Sequence, residues 1–203
     1  ILDNFLLHLE GKTLTLTASD IETTLITSME VENSEGDGKV AVASRLLLDT
    51  LREFAEQPLT FTINDSNLAM VITSANGSYN FIGQNGDEYP RLPQLQDDAR
   101  LLSLPVSQLA AGISKTLFCT ADDELRPVMN GVFFDIMQDG LTLVATDAHK
   151  LVRFKTSYTS AGLGEEEKVS FILPKKPATM LKNILPKESG EVEIKFDAKN
   201  AYF

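Results

Sequence analysis

The sequence predicts an α+β protein made mostly of antiparallel sheets, as two tandem copies of one domain. Three observations carry that prediction. Short apolar or alternating runs bounded by turn residues recur along the chain, as half-buried strands do. Helical spacing of apolar residues occurs only once or twice per copy, too rarely for the strand-helix alternation of a parallel sheet. The chain also repeats itself: LTLTASDIETTLI from Leu14 is echoed by LTLVATDAHKLV from Leu141, and Asp147 lies 127 residues beyond Asp20.

A period this long means duplicated domains, since solenoid and propeller repeats are far shorter. The register runs back without a gap to Ile1, which falls opposite Val128. Downstream, VASRLLLDTLREF from Val42 matches ILPKKPATMLKNI from Ile172, and LTFTINDSN from Leu59 matches VEIKFDAKN from Val192. The second copy opens with Leu101 to Pro127 before reaching the partner of Ile1, so the first is expected to lack about that much at its start. The second stops at Phe203 inside a strand-like run. The expected domains are therefore 1–96 and 97–203, both clipped from a longer protein.

In chain order, strands are expected at Phe5–Leu9, Thr13–Thr17, Leu59–Ile63, Leu68–Thr73 and Ser78–Ile82, then at Val132–Ile136, Leu141–Ala145, Leu151–Lys155, Val169–Leu173 and Val192–Phe196. Turn signals such as Asn76-Gly77, Asn85-Gly86 and Asp139-Gly140 separate many of them. A helix near Ser44–Glu56 would face the core with Leu47, Leu48, Leu51 and Phe54. A second, near Val106–Phe118, would bury Leu109, Ile113 and Leu117. A third, beginning near Pro174 or Pro177, would bury Ala178, Leu181, Ile184 and Leu185. Between the copies EYPRLP, from Glu88, reads as an extended linker held open by two prolines. It also fits a PxxP ligand, a pattern common by chance.

Composition removes several function classes. No window approaches the roughly 18 apolar residues of a membrane helix, and nothing has the form of a signal peptide. One cysteine and two histidines cannot build a disulfide framework or a typical structural zinc site, so Cys119 reads as a small core residue. No metal or other cofactor is expected. With 29 acids against 18 bases the net charge is −11, which argues against indiscriminate binding to nucleic acid or membrane.

The charges are nevertheless segregated. Acids crowd at Glu32–Asp37, Asp97-Asp98, Asp122–Glu124 and Glu165–Glu167, whereas Lys168–Lys187 holds five lysines and no acid. Lys175 and Lys182 lie seven residues apart, about two helical turns, and so project from the side opposite the apolar stripe. Arg45 and Arg52 have the same spacing in the first copy, although Asp49, Glu53 and Glu56 share their side. Lys115 stands opposite Leu109, Ile113 and Leu117. These cations are either solvated helix faces or a surface for Coulombic contact with phosphates, which carries no base information.

Catalytic patterns are lacking. There is no G-x-S-x-G, P-loop or H-E-x-x-H. Asp20 and Asp147 are the best acid-base candidates, but each follows a strand at the same place in its copy, which suits a turn or helix cap. A hydrolase or transferase on a duplicated scaffold would need a convergent pocket of perturbed groups. A pure peptide-binding adaptor is the other rival, and it leaves the repeated basic faces without purpose.

The combination of EYPRLP, ELRPVMNGVFF from Glu124, LTLVATDAHKLV and ILPKK from Ile172 resembles the bacterial sliding clamp family, the beta subunit of DNA polymerase III. The resemblance covers the whole chain. It implies tandem DNA-clamp domains with sheets outside and helices lining a DNA-facing inner surface, three domains per full-length chain, and a homodimeric ring around duplex DNA. The third domain would be absent here. Arg45, Arg52, Lys115, Lys175, Lys176 and Lys182 would line the hole. Arg126 is a further candidate for DNA contact or for a structural salt bridge. The family's groove for short peptides of polymerases, clamp loader and repair proteins falls on Met129, Thr146, Ala148, His149, Lys150 and Leu151. Ala148 stands where the family commonly has Gly, and Lys150 where it often has Arg. The resemblance further implies a non-catalytic, cytoplasmic, nucleoid-associated protein.

Overall fold

A computed structural model of the chain describes residues 1–20, 22–96, 99–158, 163–164, 167–197 and 199–203. The acidic positions Asp97, Asp98, Glu165 and Glu166 lie outside the described residues. The chain divides into two compact units, Ile1–Leu92 and Pro93–Phe203.

The first unit opens with the meander β1 (Asn4–Glu10), β2 (Thr13–Ser19) and β3 (Thr24–Glu30). Gly11 takes φ +57° in the first turn and donates its N–H to Asp37 Oδ1 at 2.7 Å. β4 (Gly38–Ala43) pairs with β1 and runs into α1 (Ser44–Arg52). β5 (Thr60–Ile63), β6 (Ala69–Ser74) and β7 (Gly77–Asn85) complete one antiparallel sheet of order β3-β2-β1-β4-β7-β6-β5. Leu7 lies directly opposite both Leu16 and Val40, so the apolar positions of three strands share a face. That face carries a core of Leu7, Val40, Val42, Leu47, Met70, Ile72 and Phe81.

In the second unit β8 (Arg100–Pro105) feeds α2 (Val106–Thr116), which is followed by the meander β9 (Gly131–Met137), β10 (Gly140–Thr146) and β11 (Leu151–Ser157). β12 (Lys168–Pro174) then feeds α3 (Lys175–Ile184), followed by β13 (Glu191–Phe196) and β14 (Ala201–Tyr202). The sheets are β11-β10-β9-β12 and β14-β13-β8. Side chains from both sheets and both helices join in one core, including Leu104, Leu109, Ile113, Phe134, Leu143, Leu173, Ala178 and Ile194. The strand-helix-strands succession thus occurs twice within this unit.

Helix starts follow one rule. None has a side-chain cap, and α2 and α3 each follow a proline. The first helical N–H is satisfied instead by the backbone of another segment: Ser44 N to Asp3 O at 3.0 Å, Val106 N to Gly190 O at 3.0 Å, Lys175 N to Asn130 O at 2.9 Å. Asp3 and Asn130 are partners in the sequence repeat, so the acceptor is the same in both copies, while the donors Ser44 and Lys175 stand one residue out of the register read from the sequence.

The two cores differ in cover. In the second unit α2 packs on β10 and β11, with Gly112 so close that a Cβ there would lie 2.8 Å from Leu143. Leu141 and Leu143 are fully buried. Their first-unit counterparts, Leu14 and Leu16, are only half-buried, and Leu25 and Met29 on β3 are 41% and 52% exposed. No helix among the described residues of the first unit takes α2's place.

Several expectations need correction. α1 ends at Arg52, four residues early, and Leu48 is 38% exposed rather than core-facing, because only Leu47 of its leucines is buried while Leu51 and Phe54 pack at the core's margin. β3, β4 and β8 were absent from the expected strands, and the strand-like run at the end of the chain is the two-residue β14. Asn85-Gly86 is no hairpin turn: Asn85 Oδ1 accepts from Asp87 N at 3.0 Å and opens a 3-10 turn over Gly86–Glu88. EYPRLP is extended beyond Glu88 but anchored at its start, since Tyr89 is buried and its hydroxyl lies 3.2 Å from Asn4 O and 3.4 Å from Thr17 O. Burial raises the Tyr89 phenol above its ordinary pKa.

Close approach of β9 and β12 is exact at Gly131, where a Cβ would fall 2.5 Å from Leu173 O. Gly131→Ala is expected to destabilise the protein by about 1–3 kcal/mol, because backbone on both sides must move. Urea unfolding of the two forms checks this.

Candidate nucleic-acid and peptide-binding surfaces

The basic helix faces are exposed, and acids accompany them. On α1, Arg45 Nε lies 4.0 Å and Arg52 Nη1 3.7 Å from the carboxylate of Asp49, which stands between them on the same face. On α3, Lys176 and Lys182 are exposed, whereas Lys175 is half-buried and bonded to Asp122. Lys115, on α2, sits over the Phe154 ring at 5.2 Å, a cation-π contact that leaves its charge unneutralised. α2 and α3 pack against each other, so these four lysines belong to neighbouring helices. Asp49 could have been paired from helix spacing alone; Asp122 and Phe154 could not.

Arg126 has the salt bridge that was one of its two readings. Its Nε donates to Asp123 Oδ2 at 2.8 Å, with Nη2 at 2.7 Å from the same oxygen. That guanidinium holds the Asp123 carboxyl below its ordinary pKa. The pair braces the turn before the 3-10 segment Pro127–Met129.

Thr146 to Leu151 form the hairpin between β10 and β11. Asp147 Oδ1 accepts from His149 N at 3.0 Å and Lys150 N at 2.9 Å, while Asp147 Oδ2 lies 3.2 Å from Lys150 Nζ. Thr146 Oγ1 donates to Lys150 O at 2.8 Å and accepts from Ala148 N at 3.2 Å. His149 is exposed and Leu151 is 64% exposed. Cys119 is buried, and its thiol donates to Lys150 O at 3.4 Å. Ala121 N donates to Met129 O at 2.9 Å, so the segment 119–121 links Met129 to the hairpin.

The same turn serves elsewhere. Asp20 Oδ1 accepts from Glu22 N at 2.8 Å and Thr23 N at 2.7 Å, and Asp197 Oδ1 accepts from Lys199 N and Asn200 N at 2.7 Å each. The turn reading of Asp20 and Asp147 therefore holds over the acid-base one. Backbone hydrogen bonds, that of Lys150 foremost, lower the Asp147 pKa to about 2, and those of Lys199 and Asn200 do the same for Asp197. A carboxylate so saturated is a poor proton acceptor. Among the described residues no group of three or more His, Cys, Asp or Glu could hold a metal ion, and no helix is long and apolar enough to cross a membrane.

Comparison with known proteins decides the family. The N-terminal domain of the DNA polymerase III beta subunit matches residues 1–93, and its central domain matches residues 103–203. The chain belongs to the DNA polymerase III beta subunit family. It is 32% identical over 163 residues to the beta sliding clamp of Synechococcus elongatus, covering 79% of this chain and 43% of that one. Identity to the beta sliding clamp of Halalkalibacterium halodurans is 29% over 193 residues, covering 91% of this chain and 49% of the relative. The chain thus spans about half the length of these curated relatives. Among solved structures, the sliding clamp of Bartonella birtlesii bound to griselimycin is similar at TM-score 0.85 and 27% identity, covering 97% of this chain and 52% of that one. A Pseudomonas aeruginosa clamp is similar at TM-score 0.88 and 23% identity, with the same coverage.

Ala148 has φ +74°, in the left-handed region where a Cβ is strained and a glycine is not. Ala148→Gly is expected to raise stability by about 1 kcal/mol, measured by urea unfolding.

The turn carboxylates set a pH dependence. Their pKa values of about 2 lie below the ordinary 3.8, so their stabilisation is complete above about pH 4 and is lost as pH falls toward 2. Asp147→Asn with Asp197→Asn should flatten the fall in melting temperature across that interval.

Proposed function

We propose that this chain is part of a DNA sliding clamp, a ring-forming processivity factor that encircles duplex DNA without reading its sequence. The observation that carries the proposal is the exposed basic face repeated on α1 and α3 and joined by Lys115 on α2, in a protein of net charge −11. Helices that bury one side against the sheets and offer cations on the other suit contact with phosphates, while base-edge bonds of ~1–3 kcal/mol each would trap a ring at particular sequences. Arg45, Arg52, Lys115, Lys175, Lys176 and Lys182 make that contact, and Arg126 adds to it from its braced turn. Retention comes from ring closure rather than affinity.

The domains are 1–96 and 97–203 as expected from the repeat, with residues 93–96 grouped in the second compact unit. The half-buried face around Leu14, Leu16, Leu25 and Met29 is completed in the whole protein by an earlier segment resembling 101–127, and a third domain follows. Two such chains form the ring. The protein is not an enzyme, needs no cofactor, and works in the bacterial cytoplasm at the nucleoid, tethering the replicative polymerase, clamp loader and repair proteins.

Those partners dock by short peptides on Met129, Thr146, Ala148, His149, Lys150 and Leu151. The exposed His149 and Leu151 on a hairpin fixed by Asp147 supply one wall, and the third domain supplies the other. Lys150 is committed to Asp147, so an ammonium serves there as a turn brace where a guanidinium would offer a fork.

Two measurements test this reading. Lys176→Glu with Lys182→Glu should weaken binding of the whole protein to a short duplex by at least ~10-fold at low salt, independently of sequence, with stability changed by only ~0.5 kcal/mol. Affinity insensitive to salt, or a marked sequence preference, would refute it. In calorimetric titration, a clamp-binding peptide should bind the whole protein, bind these 203 residues much more weakly, and lose about tenfold in affinity to the whole protein on His149→Ala with Leu151→Ala. Equal affinity for the two lengths would put the groove on another surface.

A further inference from the structure

We propose that Asp49 and Asp122 are built-in counterions that compete with DNA phosphates for the basic helix faces, and so shorten each phosphate contact. The proposal rests on the reading of those faces as DNA-binding and goes beyond it by assigning a role to two acids. The cations fall into two classes. Arg45 and Arg52 share one carboxylate, Asp49, at 4.0 and 3.7 Å, and Lys175 is bonded to Asp122. Lys115 rests on the Phe154 ring, and Lys182 has no acid within ion-pair distance among the described residues. The first class is screened before DNA arrives; the second is not.

The placement explains how the acids act. Asp49 follows Arg45 by four residues and precedes Arg52 by three, so one carboxylate reaches both guanidinium groups along a single helix face. All three side chains are exposed, which leaves the acid free to swing aside and the arginines free to reach a phosphate. Asp122 reaches Lys175 from the turn before Arg126. Lys175 is the first residue of α3, where the helix dipole disfavours a cation, and the Asp122 carboxylate offsets that repulsion. A phosphate that takes Lys175 or the arginine pair must displace a carboxylate, and the displaced acid then recruits a solvent cation. The exchange releases fewer net counterions than an unscreened contact does. Binding is therefore weaker and less dependent on salt, as a ring held by topology can tolerate.

The test is fluorescence anisotropy of a short labelled duplex with the 203-residue chain, titrated across salt from low ionic strength. Asp49→Asn and Asp122→Asn should each tighten binding by about two- to fivefold. Each should also steepen the log-log salt dependence by up to about one unit. Asp65→Asn, an exposed acid in the β5-β6 turn, removes the same charge elsewhere and should change both quantities less. Melting temperatures separate the alternative for Asp122, a purely structural brace, which predicts lower stability with unchanged duplex affinity.

Unchanged or weakened binding by the two acid variants overturns the proposal while Arg45→Ala with Arg52→Ala still weakens binding and the DNA-binding reading stands. Equal tightening by Asp65→Asn overturns it in favour of a general charge effect. If the arginine variants and Lys175→Ala bind like the unchanged chain, or the unchanged chain does not bind at low salt, the reading of the helix faces falls and the proposal falls with it.

Discussion

Each antiparallel sheet in this protein has one apolar face, and an amphipathic helix must cover it; the rest of the structure depends on that constraint. In the second unit α2 lies so close to β10 that a Cβ at position 112 would push against the Leu143 side chain, and Leu141, Leu143, Leu109 and Ile113 are fully buried. Burial of such side chains is the main source of stability, at roughly 1.5–3 kcal/mol each. The helix is thereby fixed in place and rotation, and its outward face becomes a rigid surface whose charge can be chosen separately from the fold. A first helical N–H bonded to a neighbouring segment's carbonyl sets the entry of each helix without any capping side chain. That frees the first turn of α3 to carry Lys175 and Lys176 instead of the acids that helix starts usually favour.

The same economy separates global from local charge. The chain has a net charge of −11, while its helix faces gather cations whose field reaches about a Debye length, ~8 Å at physiological salt. The ion pairs temper that local field residue by residue. Arg126 shows the limit: held by Asp123 through two nitrogens, it braces a turn first and can offer only its remaining donors to a ligand.

How much of this could be read from the sequence follows from what kind of burial each element has. Strands with one wet face, such as β2 and β10, alternate and were legible. β4 was missed because Val40, Ala41 and Val42 are all buried and give no alternation, and β3 because nearly all its residues are exposed. β8 owes its place to pairing with β13, far away in sequence. Leu48 misled because three adjacent leucines cannot all face one side of a helix, and the sequence does not say which one does. Of the candidate sites, the cations and the ATDAHKL hairpin were legible as residues. Of their acid partners, Asp49 shares a helix with Arg45 and Arg52 and is legible from spacing, whereas Asp122 is brought to Lys175 by the fold across 53 residues and leaves no local signal.

The carboxylate turn argues where function resides in the repeat. Asp20, Asp147 and Asp197 each accept two backbone N–H groups at the same positions of a hairpin, so the aspartate itself carries no functional distinction among the three. What differs is the company. The Asp147 turn alone carries a histidine and a leucine, both exposed; Ala148 within it has positive φ, and its strand end is tied to Cys119 and through it to the Met129 segment. Strain and exposed apolar surface both lower stability, and a turn already fixed by five hydrogen bonds can hold them in one geometry. The duplicated turn is therefore the same scaffold in all three places, which is why the repeat alone pointed to the aspartates, whereas the departures from the repeat mark the candidate site.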